Sequence, residues 1–168
     1  MSVMIQVDFL LYPVGHSDFL HAFFSTICRR LEHGRWGSKY PHLMNRLYQG
    51  RLEWTDISSA REELKKVEQR LKKHPPSSVV WDIDDLSKQP PWGNNISKEI
   101  TSLANYFITS DGRILIDVLH LAFRDAEELR HCIEIVRRTS FEKQTRKIVF
   151  LSCWRTNSYS RMVKHIWN

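Results

Sequence analysis

Residues 3–31, VMIQVDFLLYPVGHSDFLHAFFSTICRRL, contain a change of period that decides the fold class. Val3, Ile5, Val7, Phe9 and Leu11 alternate with Met4, Gln6, Asp8 and Leu10, the period of two of a half-buried strand. Pro13-Val14-Gly15 stops the alternation. Phe19, Leu20, Phe23, Phe24, Ile27 and Leu31 then recur at helical spacing. Ser17 is suited to cap that helix, Asp18 to its first turn and Gly34 to its end. A strand followed at once by a core-facing helix points away from all-helical and all-strand architectures.

Downstream, RWGSKYP reads as loop and PHLMNRLYQG as a short helix ended by Gly50. From Thr55 or Asp56, Ile57, Ala60, Leu64, Val67 and Leu71 line one face of an amphipathic helix. Its remaining faces are charged, and His74-Pro75-Pro76 ends it. Val79–Ile83 is expected to be a short buried strand, and the stretch DDLSKQPPWGNNIS after it an irregular loop. Ser97 can cap a short helix through Ala104, and Tyr106–Ile108 reads as a strand. A further helix carries Ile114, Leu115, Val118, Leu119, Leu121, Ala122 and Phe123, with Asp111 as a possible cap and a break near 125–131. HCIEIVRR and Lys147–Cys153 (KIVFLSC) are strand-like. Strands and helices alternate without a regular crossover rhythm. The expected fold is a single α+β domain spanning residues 1–168, its helices packed on a small mixed or antiparallel sheet.

The 168 residues, 42% apolar and 26% charged, suffice for a real core and exclude disordered or collagen-like chains. No apolar run approaches the roughly 18 residues of a membrane span. The first residues lack the basic start of a cleaved signal peptide, so a cytoplasmic location and no membrane partner are expected. Cys28, Cys132 and Cys153 form no CxxC and have apolar neighbours, which suits inert thiols in a reducing compartment. The net charge is +6, but residues 137–168 hold eight basic side chains against Glu142 alone, leaving −1 for residues 1–136. This basic segment, with Trp154, Tyr159 and Trp167, could track a nucleic-acid backbone and stack on bases. With no nucleic-acid motif beside it, it reads better as a solvated face whose aromatics anchor the terminus.

Phosphate-binding glycine loops, zinc-helix motifs and nucleophile elbows do not occur. His16 and His21 fall on different helix faces, and His120 suits a partly buried helix position. Asp82, Asp84 and Asp85 precede a loop, and Asp111 follows a turn. Grouped carboxylates can bind Mg²⁺ or move protons. Without a suitably spaced partner they read better as solvated, loop-capping groups. No catalytic residue, metal or cofactor is expected.

Three segments carry a resemblance: FLLYPVGHSDFLHAFFSTI, VVWDIDDLSKQPPWGNNIS and YFITSDGR. Together, and above all PPWGNN (Pro90–Asn95) followed by TSDGR (Thr109–Arg113), they resemble the immunity protein 70 family over about residues 5–125. Its members are antidotes encoded beside bacterial polymorphic toxins. The resemblance implies a cytoplasmic, non-enzymatic antitoxin whose partner is the toxin domain of a polymorphic or contact-dependent system, neutralised by covering its active site. The basic segment lies outside the resemblance, and a nucleic-acid-binding domain using it is the alternative. Asp82, Asp84, Asp85, Trp92, Asn94 and Asn95 suit a toxin-binding surface: carboxylates steer encounter, a constrained Trp supplies contact area and Asn amides both donate and accept. The net charge of +6 leaves three options open: a local acidic strip, an acidic toxin face or a mainly apolar interface. Pro-Pro-Trp-Gly could also fold back so that Trp92 fills the core, which its place between a strand signal and a helix signal favours.

Overall fold

The structure, a computed structural model, describes residues 1–93 and 95–138. The alternating run at the start forms not one strand but a hairpin. Strand β1 (Ser2–Val7) pairs antiparallel with β2 (Leu10–His16), with Val7 opposite Leu10. The reversal falls on Asp8-Phe9, where Asp8 takes φ 51° and the Gln6 side-chain amide donates to the Asp8 carbonyl at 2.8 Å. Apolar alternation passes through this turn without a Gly, Asn-Gly or Pro to mark it. Val3 lies opposite Gly15 but Met4 opposite Pro13, so Val14 is an extra residue, a bulge that accommodates the proline.

Helix α1 (Ser17–Leu31) follows directly, capped by His16 rather than Ser17: the imidazole Nδ1 accepts the Asp18 N–H. Its apolar stripe buries Phe19, Leu20, Phe23, Phe24, Ile27 and Leu31. Beyond α1, the fully buried Glu32 carboxylate accepts the backbone N–H groups of Gly37, Lys39 and Tyr40 and so shapes the loop. Gly37, at φ 71°, lies where an added Cβ would overlap the Asn45 side chain. The expected short helix is a single wide turn, His42–Leu47, closed by a five-residue bond from the Tyr48 N–H to the Leu43 carbonyl. Glu63 accepts the N–H groups of His42 and Leu43 at its start.

Strand β3 (Arg51–Leu52), with no signature in so short a segment, pairs antiparallel with β4 (Ile133–Arg138). The open sheet runs β2-β1-β4-β3. Helix α2 (Ile57–Leu71) packs on α3 (Leu115–Leu129), where His120 meets Glu68 and Arg61 meets Glu127. Val3, Ile5 and Val7 of β1 join these helices in one core. Helices on a small sheet with antiparallel pairs make this an α+β fold, as expected. The expected break near 125–131 is Arg130, in the left-handed conformation after α3, and HCIEIVRR supplies β4. Asp111 does not cap α3, whose cap position is Ile114.

Three expected elements differ. Val79–Ile83 joins no sheet, and the chain bends at Trp81 and Ile83. Ser97–Ala104 is not helical, because the Asn105 side chain accepts the Thr101 and Ser102 N–H groups and donates to the Glu99 carbonyl. Tyr106–Ile108 contributes only one bridge, Ile108 to Ile114, across the TSDGR turn. Lys147–Cys153 and all of the basic segment from residue 139 onward lie outside the described residues. Cys28 is buried, whereas Cys132 is only half-buried, at the sheet margin. No helix among the described residues is long and apolar enough to cross a membrane.

Candidate functional site

Helix α1 carries two buried hydroxyls, Ser25 and Thr26, on the side facing residues 80–83. Thr26 Oγ1 accepts the Val80 N–H and donates to the Val80 carbonyl, both at 3.1 Å, and Ser25 Oγ accepts the Ile83 N–H at 3.2 Å. These bonds replace the sheet ladder that the strand-like sequence VVWDI would otherwise require. The segment is thereby fixed to the helix, and the acidic residues that follow start from an anchored point.

Asp82 is the hub. Its Oδ1 accepts the Asp84 N–H at 2.9 Å, its Oδ2 meets Lys88 Nζ at 2.6 Å, and His21 Nε2 of α1 lies 3.3 Å from Oδ1. The Lys88 ammonium, helped by the Asp84 amide and His21, holds the Asp82 carboxyl well below the usual carboxylate range. His21 Nδ1 reaches the Tyr48 hydroxyl at 2.8 Å. Burial, with the charges of Asp84 and Asp82 nearby, raises the Tyr48 phenol. Asp85 turns to Ser87, accepting its N–H and hydroxyl, which lowers the Asp85 carboxyl. An open cleft of about 360 Å³, lined in part by Asp18, His21, Tyr48, Gln49 and Arg137, adjoins this cluster.

Trp92 does not fill the core. It is 39% exposed, its indole N–H donates to the Tyr106 hydroxyl at 3.0 Å, and its ring meets Trp81 edge to face at 5.2 Å. Its neighbours therefore hold it at the surface; the flanking strand and helix signals that favoured burial do not form those elements. Since Trp81 immediately precedes Asp82, the aromatic group continues into the acidic one. Asp84, Asp85 and Asn95 are exposed, and Asn94 lies outside the described residues. Asp111 does not join the other aspartates: its carboxylate meets Thr109 and Arg113 within the TSDGR turn. Sequence spacing missed His21, Tyr48 and Lys88 as partners of Asp82, and Trp81 and Tyr106 as supports of Trp92. The one available signal was the amphipathic helix with a polar His21 among phenylalanines.

The α+β scaffold thus carries a pinned, irregular loop with exposed carboxylates and a partly exposed tryptophan. The family model for immunity protein 70 matches residues 5–135 of the 168, and the chain belongs to that family. It is thus a member of the toxin immunity proteins. The match includes α1, the 80–95 loop and the TSDGR turn and reaches the start of β4, ten residues beyond the resemblance drawn from the quoted segments. No curated protein and no solved structure matches the chain.

Proposed function

We propose that the chain binds one cognate toxin domain through Asp82, Asp84, Asp85, Trp92, Asn94 and Asn95, and neutralises it by covering its active site. The observation that carries this reading is Trp92: a partly exposed indole held in place by Tyr106 and Trp81, on the same loop as the exposed carboxylates Asp84 and Asp85. A constrained aromatic loses little freedom on binding and gives a large contact area, the character of an interface anchor. Asp84 and Asp85 add charge that favours a basic toxin face and fast encounter. This selects the local acidic strip among the three ways a chain of net charge +6 could meet its partner. The protein acts by occupancy, with no turnover of its own.

Co-expression with the toxin encoded beside its gene tests the proposal. Growth is expected to be rescued by the chain and to fail with a variant carrying Trp92→Ala, Asp84→Asn and Asp85→Asn together, at equal protein level. Full rescue by the triple variant would move the interface elsewhere. A steep salt dependence of binding to generic RNA, without rescue, would favour the nucleic-acid alternative.

A further inference from the structure

Surface carboxylates often cluster without purpose, but the group around Asp82 contains an imidazole from a different element. A ring nitrogen of His21, an Asp82 oxygen and an Asp84 oxygen lie within 4.8 Å of one another, although His21 and Asp82 are 61 residues apart in the chain. We propose that His21, Asp82 and Asp84 form a binding site for a divalent transition cation, of which Zn²⁺ and Mn²⁺ are the probes. One imidazole and two carboxylates are a donor set that suits such ions rather than Ca²⁺ or Mg²⁺.

The geometry supports this in three ways. Ligands bound at about 2.1 Å in a tetrahedron lie roughly 3.4 Å apart, and His21 Nε2 is 3.3 Å from Asp82 Oδ1, long for a hydrogen bond. The far side of the ring is already oriented, because Nδ1 sits 2.8 Å from the Tyr48 hydroxyl. When an ion replaces the Nε2 proton, Nδ1 carries the ring hydrogen and donates it to Tyr48, the support that metal-bound imidazoles use. Both halves of the site also rest on one element: His21 belongs to α1, and Ser25 and Thr26 tie residues 80–83 to the same helix.

Lys88 opposes the ion. Its ammonium lies 2.6 Å from Asp82 Oδ2 and acts as an internal cation that a metal must displace or share. Removing it therefore has to strengthen binding, a gain that misfolding cannot imitate. The absence of a spacing motif is no obstacle, since the imidazole and the carboxylates meet only through the fold.

The test is a calorimetric titration of the purified full-length chain with ZnCl₂ and, separately, MnCl₂, with no toxin present, so its outcome is independent of the proposed toxin reading. Saturable binding of one equivalent of either ion is expected. His21→Gln and Asp84→Asn should each abolish it, Tyr48→Phe should weaken it about tenfold, and Lys88→Gln should tighten it. No saturable binding to the wild type, binding unchanged in His21→Gln, or weaker binding in Lys88→Gln would overturn the site.

Discussion

At the scale of single residues, Trp92 shows how one side chain can serve folding and recognition together. Its indole is supported by Trp81 and by a hydrogen bond to Tyr106, yet 39% of the residue remains open to solvent. Truncating a fully buried Trp costs about 3–5 kcal/mol, and a half-covered one loses less contact. Trp92→Ala is therefore expected to lower folding stability by about 1–2 kcal/mol, measured by chemical denaturation. Toxin affinity should fall by about 2 kcal/mol or more, measured by titration. A variant unchanged in both would remove Trp92 from core and interface alike. The residue type was legible in the sequence as an anchor candidate. Its exposure was not, because the two aromatic supports come from outside the PPWGNN string.

At the scale of elements, the segment at residues 79–83 separates what a local pattern determines from what it leaves to tertiary partners. Val79-Val80-Trp81-Asp82-Ile83 has strand chemistry but joins no sheet, and hydrogen bonds from its backbone go to the hydroxyls of Ser25 and Thr26. Nothing in VVWDI indicates that a helix 54 residues earlier supplies the partner. Thr26→Val keeps the shape and removes the hydroxyl, leaving both polar groups of the buried Val80 backbone without their bond. A loss of about 1–3 kcal/mol is expected on denaturation, with faster amide exchange over residues 80–84. A variant as stable as the wild type would show that the hydroxyl does not hold the loop. The hairpin teaches the converse: alternation marked strand character but read as one strand ended at Pro13-Val14-Gly15, whereas the chain reverses at Asp8 without a glycine and β2 runs on through Pro13 to His16. Helices α1, α2 and α3 were legible because long periodic faces leave little choice, and β4 because its alternation is short but clear. The candidate site was legible only on its loop side. Asp82, Asp84 and Asp85 are close in sequence and Lys88 follows on the same loop, while His21 and Tyr48 are brought to them by the fold.

At the scale of the whole molecule, the charge balance ties stability to pH. Lys88 lowers the Asp82 carboxyl, Lys72 that of Glu68, and Arg113 that of Asp111. A carboxyl whose folded pKa lies below its unfolded value, about 3.9 for Asp and 4.3 for Glu, contributes stability that is complete above that value. The contribution disappears as pH falls through the folded pKa. The melting temperature should therefore drop as pH is lowered from about 5 toward 2. The difference between wild type and Asp82→Asn should be full at pH 6 and shrink across that acid range; a difference independent of pH would contradict the ion-pair origin. The same acid cluster, one Lys88 among several carboxylates, gives the 80–95 loop a negative local character in a chain whose net charge is +6. That contrast leads back to the central claim, neutralisation of a toxin by occupancy of this surface. Its most direct test is titration of the purified toxin's activity with the purified full-length chain. The account predicts saturable and complete loss of toxin activity, with the Trp92→Ala variant requiring roughly 30-fold more protein for the same effect. Toxin activity that persists at saturating wild-type chain would contradict it.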